Sequence, residues 1–288
     1  MKNQLKTILL LGVLSALLVA GGAAFGERAA YAMLAVAVLM NVGAYFFSDR
    51  LVLSMSGAQP LLEAEGPRLH RMVAEVAARA GIPKPRIYLI PEAQPNAFAT
   101  GRSPERGAVA FTQGILQMLD ERELRGVVAH ELAHIKNRDI LVASVAATLA
   151  AAISSLGNLG FFFGGSRDDE DGHPAAGLLM MIVAPLAATL VQLGISRSRE
   201  YLADETAASL TGDPEGLARA LEKLEMGTRA VPSEVAPATA SLYIANPFGG
   251  FGGVTRWLST HPPMAERIAR LRQQPAGDSR YGRWARVG

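Results

Sequence analysis

One short motif in this chain has the residue types and spacing of a hydrolytic metal site. His130 and His134 flank Glu131 in the pattern H-E-x-x-H. On a helix, two histidines four residues apart project from one face, where both can bind one metal ion. Glu131 lies between them and is placed to activate a water on that metal. The chain has no cysteine, so the ligands must be imidazole and carboxylate, a set that favours one Zn²⁺ per chain.

A catalytic zinc ion needs a third protein ligand and an open position for water. The metalloprotease class with an extended third histidine is excluded, because Asn137 and Ile140 stand where it requires Gly and His. Glu200 is the candidate, and it shares a helix face with Asp204. We expect Asp204 to accept a hydrogen bond from the other ring nitrogen of His130, which would fix its tautomer.

The motif lies on a predicted helix that begins at a capping box formed by Asp120 and Glu123. Apolar periodicity and turn residues predict the other elements. They are a helix over 61–81, strands over 86–90 and 108–111, a short extended piece or turn over 96–101, a helix starting at Asp213-Pro214 and a last helix over 263–273. Residues 227–253 are rich in Pro, Gly and Ala, and are predicted to form a long mobile loop.

The composition indicates a membrane protein. Half of the residues are hydrophobic and 19% are charged, against about 25% charged in a typical soluble domain. Four stretches are free of charge over a membrane-spanning length: residues 8–25, 29–47, 140–163 and 175–195. Lys2 and Lys6 precede the first stretch and Arg197 and Arg199 follow the fourth, so the positive-inside rule places both termini and residues 51–139 in the cytoplasm. A net charge of +2 gives no reason to expect nucleic acid as a partner.

Two other interpretations of these stretches stay open. The first stretch could be a cleaved signal peptide, since two lysines precede an apolar run and then small residues. The third and fourth stretches are rich in alanine, which adds little to membrane insertion, and could be buried helices of a large soluble core.

The residues at 130–139 and 200–204 resemble those of the HtpX membrane metalloproteases, bacterial relatives of the CAAX-prenyl proteases. Residues 95–99 resemble the N-A-F-A element of that family, and His261-Pro262 with Arg267 resembles its late H-P…R element. The resemblance covers nearly the whole chain. It implies a multi-pass zinc endopeptidase of the bacterial inner membrane, with a cytoplasmic active site that degrades misfolded or damaged membrane proteins.

The expected fold is mostly α with a small β-sheet, a gluzincin-like metalloprotease domain attached to four transmembrane helices. Its parts are two N-terminal transmembrane helices (1–50), the first part of the cytoplasmic protease domain with the H-E-x-x-H helix (51–139), a transmembrane hairpin (140–195), the second part of the protease domain with Glu200 (196–274), and a flexible tail (275–288).

In the expected mechanism, Glu131 takes a proton from the zinc-bound water as it attacks a peptide carbonyl, and then passes it to the leaving amine. His261 is the candidate donor to the oxyanion, with Arg267 as alternative or support. The extended segment near the motif is expected to pair with substrate as an added strand, or to be a plain turn. Its candidate substrate-binding residues are Asn96, Ala97 and Phe98.

Three other functions compete with this hypothesis. A site-2-type intramembrane protease would carry the motif inside a span, whereas charged residues lead into it at 120–125 and out of it at 136–139. A zinc transporter should have ligands within its spans, and the four apolar stretches contain no Asp, Glu or His. A non-catalytic membrane adaptor would not need Glu131.

Overall fold

The secondary structure is mainly helical. The computed structural model describes residues 26–149, 197–233, 235, 239–247, 262–275 and 277, together with scattered positions between 7 and 23. The helices are α1 (Glu27–Met55), α2 (Pro67–Ala80), α3 (Gln113–Met118), α4 (Glu121–Lys136), α5 (Ile140–Leu149), α6 (Arg197–Thr211), α7 (Pro214–Ala230) and α8 (Met264–Arg272). The strands are β1 (Gln59–Pro60), β2 (Arg86–Ile90), β3 (Ala97–Thr100) and β4 (Ala108–Thr112). Single 3₁₀ turns lie at Pro104–Arg106 and Ala240–Leu242.

A small mixed sheet lies beside the helices, in the strand order β1-β2-β4-β3. β2 and β4 run parallel, while β1 pairs with β2 and β3 pairs with β4 in the antiparallel sense. The predicted bounds of β2 are confirmed, β4 is one residue longer than predicted, and the segment at 96–101 forms β3. β3 is therefore one of the two edge strands, and it lies against the motif helix α4.

Helix α4 begins at the predicted capping box. The Asp120 carboxylate accepts a hydrogen bond from the Glu123 N–H at 2.9 Å, and the Glu123 carboxylate accepts one from the Asp120 N–H at 3.0 Å. The box satisfies amide groups that have no partner within the helix. Glu123 is fully buried and also accepts from Lys223 of α7 at 2.6 Å, so the cap fastens α4 to its neighbour.

The main hydrophobic core lies between α2, α4, α6, α7 and α8. α2 is shorter than the predicted 61–81 helix and starts at Pro67, since residues 63–65 form a turn. It ends as predicted at Gly81, whose φ of 71° is the left-handed conformation that favours glycine. α4 and α7 approach closely at Gly126, where a Cβ would lie 2.8 Å from the Leu217 backbone.

A second core joins α1 to the sheet. Val52 and Leu53 in the last turn of α1 are buried with Phe98 of β3 and with Tyr243. The rings of Phe98 and Tyr243 meet edge to face, with centroids 5.0 Å apart. The last turns of α1 are therefore part of the same packed unit as the edge strand.

The prediction of a mobile loop over 227–253 is wrong at the start of this range and at 239–247. α7 continues through Gly227 to Ala230, and Gly227 lies where the helix closely approaches Pro95, whose Cγ would lie 2.4 Å from an added Cβ. Further on, Ile244 donates its N–H to the Ala97 carbonyl at 2.9 Å, so residues 239–247 pack along β3. A glycine that serves helix packing and one that ends a helix look alike in the sequence.

Among the described residues, one helix is long and apolar enough to cross a membrane. It covers Ala30–Met55 within α1, with a mean hydropathy of 1.8 and 11% of its most apolar window buried. It matches the predicted span at 29–47 and continues beyond it. The predicted span at 140–163 is described as far as Leu149, as the short apolar helix α5. The span at 175–195 and nearly all of the tail lie outside the described residues, and the span at 8–25 is described only at scattered positions.

The described apolar helices contact each other. Ala44 of α1 packs with Val145, Ala146 and Leu149 of α5 in a third buried cluster. Asn41 in α1 donates to the Ser15 hydroxyl at 2.8 Å, which joins the first apolar stretch to the second. Small residues at the contact and a polar pair between helices are typical of helix packing in membranes.

Candidate metal centre

Two imidazoles and one carboxylate converge between α4 and α6. His130 Nε2 lies 3.2 Å from His134 Nε2. Glu200 places its two oxygens 3.6 Å from these nitrogens, Oε2 toward His130 and Oε1 toward His134. The three residues each offer a ligand atom, and these atoms all lie within 4.8 Å of one another. His130 and Glu200 are buried, and the His134 side chain is 16% exposed.

The spacing of these donor atoms fits a tetrahedral ion. Ligands bound about 2.0–2.1 Å from a tetrahedral zinc ion lie about 3.3 Å from one another. The two Nε2 atoms lie 3.2 Å apart, near this value, and each lies 3.6 Å from a different oxygen of Glu200. The chemistry of the set, two nitrogens and one carboxylate oxygen, also suits Zn²⁺ and leaves a fourth position for water.

Both histidines bind a carboxylate through the ring nitrogen that faces away from the candidate site. His130 Nδ1 lies 3.0 Å from Asp204 Oδ1, and His134 Nδ1 lies 3.3 Å from Asp139 Oδ2. A carboxylate on Nδ1 holds the proton there and leaves the Nε2 lone pair for a cation. The sequence predicted the contact between Asp204 and His130, but it did not predict that Asp139 is part of the site.

The local chain path explains how Asp139 reaches His134. α4 ends in a Schellman turn, in which Asp139 donates its N–H to the His134 carbonyl at 3.0 Å and Arg138 donates to the Ile135 carbonyl at 3.1 Å. Arg138 occupies the left-handed position with a φ of 58°. Glycine usually occupies that position, so the turn could not be predicted from the sequence.

Arg267 of α8 lies behind Asp204 and is fully buried. Its Nε donates to Asp204 Oδ2 at 2.9 Å and its Nη2 to Oδ1 at 2.7 Å, a bidentate pair. Its Nη1 donates to the Ile244 carbonyl at 3.1 Å and lies 3.7 Å from Glu200 Oε2. The guanidinium thus joins α8, the Ile244 segment and both carboxylates of α6.

The buried charges around the site do not balance without a cation. With both histidines neutral, as metal binding requires, the four described carboxylates and two guanidinium groups, all less than 9% exposed, give a net charge of two negative. They are Glu131, Asp139, Glu200 and Asp204, with Arg199 and Arg267. A buried excess charge is costly, and one divalent cation would neutralise this one. The donor set, its spacing and this charge therefore all fit a resident divalent metal ion.

The same charges shift two pKa values in the metal-free protein. Burial lowers the pKa of His130, but hydrogen bonds to Asp204 and Glu200 outweigh burial and raise the pKa to about 9. Burial raises the pKa of Glu131 above its ordinary value, and the neighbouring histidines act in the opposite direction. A carboxylate whose proton affinity is raised in this way is suited to accept and return a proton.

A cavity of about 40 Å³ lies beside the metal-binding residues. Glu131 and His134 line it on one side, and Ala99 of β3, Arg199 and Leu242 line it on the others. This volume holds one or a few waters, but not a peptide. Arg199 is a second residue that sequence reasoning missed; its only signal was its place directly before Glu200.

The structure brings together His130, Glu131, His134, Glu200, Asp204 and Arg267 from three separated parts of the sequence. Asn96, Ala97 and Phe98 are at most 1% exposed and make contacts within the fold. The Asn96 amide donates to the Ala245 carbonyl at 2.8 Å, and Phe98 lies in the second core. Their part in substrate binding stays a prediction, and His261 lies outside the described residues.

Comparisons with known proteins agree with this site. Residues 63–274 match the profile of Peptidase family M48. A Protease HtpX homolog from Syntrophobacter fumaroxidans is 51% identical over 281 residues, covering 94% of this chain and 99% of that protein. A Protease HtpX homolog from Ralstonia pickettii is 50% identical over 279 residues, covering 95% and 97%.

A solved structure supports the fold. The crystal structure of S. mikatae Ste24p matches with a TM-score of 0.53 at 20% identity, over 94% of this chain and 65% of that chain. The family match spans α4, α6 and α8, and family membership implies the metal for which the His-His-Glu group is a candidate site. The homologues and the apolar helix α1 indicate a membrane protein. The chain therefore belongs to peptidase family M48 and is a metallopeptidase.

Proposed function

We propose that the chain is a membrane-embedded zinc endopeptidase in which Glu131 activates the attacking water. The observation that carries this proposal is the His130, His134 and Glu200 donor set, with separations of 3.2–3.6 Å and Glu131 lining the cavity next to it. His130, His134 and Glu200 hold one zinc ion per chain. Asp204 and Asp139 orient the two histidines.

When bound, the zinc ion acidifies a water and polarises the substrate carbonyl. The Glu131 carboxylate accepts the proton of the attacking water and returns it to the amine of the leaving strand. Arg267 acts through Asp204 as a positioning residue, since its guanidinium is fully buried against that carboxylate.

Arg199 is the described residue best suited to stabilise the oxyanion. It is a buried cation that lines the same cavity as Glu131 and His134. A fixed positive charge in a site of low dielectric stabilises developing negative charge more strongly than it would in water. His261, predicted for this role from the sequence, remains a second candidate.

The substrate pairs with the edge of β3 at Ala99. Asn96 bonds to β4 through its carbonyl, and antiparallel alternation then points Ala97 and Ala99 to the open edge. The carbonyl of Ala97 already accepts from Ile244, whereas Ala99 lines the catalytic cavity. The added strand predicted from the sequence therefore starts at Ala99, two residues after Ala97. Residues 239–247 limit its length.

The proposed topology is the one predicted from charge: four spans, both termini and the active site in the cytoplasm, and a bacterial inner-membrane location. The division into 1–50, 51–139, 140–195, 196–274 and 275–288 is retained with it. The contacts of α1 with α5 and with Ser15 support adjacent spans. Misfolded or damaged membrane proteins are the proposed substrates, because Ile140 and Ala143 of α5, the start of the predicted third span, line the catalytic cavity.

The decisive experiment compares purified wild type with Glu131→Gln on an unfolded protein substrate, with zinc analysis of both proteins. We expect one zinc per chain in both and cleavage by the wild type alone. Equal cleavage by both would exclude Glu131 as the base. Glu121→Gln, an exposed glutamate in the first turn of the same helix, is the matched control and should cleave normally.

A second experiment separates a surface site from an intramembrane site. The chain has no cysteine, so a single cysteine at the exposed residue Gln113 can be labelled alone. We expect rapid reaction with a membrane-impermeant maleimide in inside-out vesicles. Protection from the reagent in both vesicle orientations would favour the intramembrane protease.

A further inference from the structure

A second cavity, lined by none of the metal-binding residues, lies between the end of α1 and the start of β2 and β4. Its volume is about 690 Å³. Five cationic and two anionic side chains line it, which gives a net charge of three positive. They are Arg50, Lys84, Arg86, Arg102 and Arg106, with Asp49 and Glu105. We call this space the interface cavity.

Three of these cations are available to a ligand. Arg86 binds Asp49 at 2.9 Å, and Lys84 lies 3.6 Å from Glu63. Across the described part of the chain, Arg50, Arg102 and Arg106 form no ion pair with a carboxylate. Their charge is therefore not neutralised within the described protein.

Aromatic rings hold two of the free guanidinium groups at the cavity wall. The Arg102 guanidinium lies 5.0 Å from the centroid of the Phe46 ring, and the Arg50 guanidinium lies 5.9 Å from that of Phe47. Such cation–π contacts restrain an arginine without removing its charge or its hydrogen-bond donors. The arginines are thus oriented and still able to bind an anion.

The cavity lies where α1 leaves the apolar phase. Phe46 and Phe47 are exposed apolar residues, 48% and 53% accessible, whereas Val52 and Leu53 little more than one turn later are buried in the protein. Aromatic rings collect at the membrane–water boundary, and long cationic side chains reach the headgroup phosphates from there. In the proposed topology, on which this inference rests, the cavity therefore lies at the depth of the lipid headgroups.

We infer that the interface cavity binds the phosphate of an anionic phospholipid. The lipid phosphate would lie between Arg102 and Arg106, and its acyl chains would follow the apolar face of α1 past Phe46. Basic pockets beside membrane helices recognise anionic headgroups through this combination of charge and apolar contact. The site contains no residue of the metal centre, so the lipid-binding inference can be tested independently of the proposed peptidase mechanism.

The test is a thermal-shift titration of the full-length protein in a neutral detergent. Phosphatidylglycerol should raise the melting temperature saturably, while phosphatidylcholine should not. Arg102→Gln together with Arg106→Gln should weaken the apparent affinity about thirtyfold, because each arginine near an anionic surface contributes about fivefold. Arg71→Gln, an exposed arginine of α2 outside the cavity, is the matched control and should titrate like the wild type.

Two outcomes would overturn the inference. If phosphatidylglycerol titrates the double variant as it titrates the wild type, Arg102 and Arg106 do not form the binding site. If glycerol phosphate at the same concentration raises the melting temperature equally, the site binds free phosphate esters and not specifically a lipid. If the double variant melts below the wild type without lipid, the two single variants replace it, each with an expected fivefold loss. Phospholipid retained after purification, measured by mass spectrometry, gives an independent second readout.

Discussion

Arg267→Met is the substitution that most directly tests the charge balance behind the metal centre. Arg267 is fully buried and binds Asp204 through two hydrogen bonds of 2.7 and 2.9 Å. Its removal makes the buried net charge of the site one unit more negative, and leaves the Asp204 carboxylate without its guanidinium. Removing one partner of a buried ion pair costs about 3–5 kcal/mol.

The expected loss is large enough to measure by thermal unfolding. At about 2–4 °C per kcal/mol for a protein of this size, the melting temperature of the metal-free variant should fall by roughly 10 °C. Arg267→Lys keeps the charge but not the bidentate geometry. Its melting temperature should lie between those of Arg267→Met and the wild type. Added zinc should narrow the difference, because the cation lowers the excess negative charge in both proteins.

Arg270→Met provides the matched control for this measurement. Arg270 is in the same helix, is exposed, and forms a surface pair with Glu266 at 2.9 Å. Such pairs contribute about 0–1 kcal/mol, and the contact of its guanidinium with the Tyr201 ring, 3.8 Å from the ring centroid, contributes about 0.5–1 kcal/mol. Its melting temperature should therefore fall clearly less than that of Arg267→Met. Equal losses for both variants would refute the charge-balance argument. Lost cleavage with an unchanged melting temperature would favour Arg267 as a direct oxyanion donor.

Three further substitutions test two residues of the site and one cap of a helix outside it. Asp139→Ala should weaken zinc affinity about 10–100-fold in a chelator competition, because His134 loses its orienting carboxylate; unchanged affinity would leave Asp139 with a structural role only. Arg199→Gln should lower kcat about 10²–10³-fold with zinc content retained; normal turnover would shift the oxyanion role to His261. The hydrogen bond from Arg122 lowers the pKa of Asp213, so this carboxylate stabilises the fold above its unfolded pKa of about 3.9 and ceases to do so as pH falls through the lower folded pKa. Asp213→Asn should therefore flatten the acid side of the melting-temperature profile, and an unchanged profile would contradict the assignment.

Local sequence signals predicted the parts of the fold that depend on local interactions. The capping box at Asp120 and Glu123, the Pro214 start of α7 and the bounds of β2 all appear as predicted. Each follows from residues within a few positions of one another. The helix spacing also put His130 and His134 on one face, as an i, i+4 pair must be.

The parts that the sequence could not predict depend on contacts between distant residues or on unusual backbone. Asn96 and Ala245, whose contact closes part of the β3 edge, are 149 positions apart. Arg138 takes a left-handed conformation that nothing in its chemistry announces, and this turn brings Asp139 to His134. Gly227 looked like a helix end, yet it lies inside α7 against Pro95.

The central claim is that Glu200 completes a zinc site with two histidines on another helix. Zinc analysis of purified Glu200→Ala tests it most directly, with Glu205→Ala, an exposed glutamate of the same helix, as the matched control. We predict one zinc per chain in the wild type and in Glu205→Ala, and a large loss of zinc and of cleavage in Glu200→Ala. Full zinc occupancy in Glu200→Ala would contradict the assignment of Glu200 as a ligand.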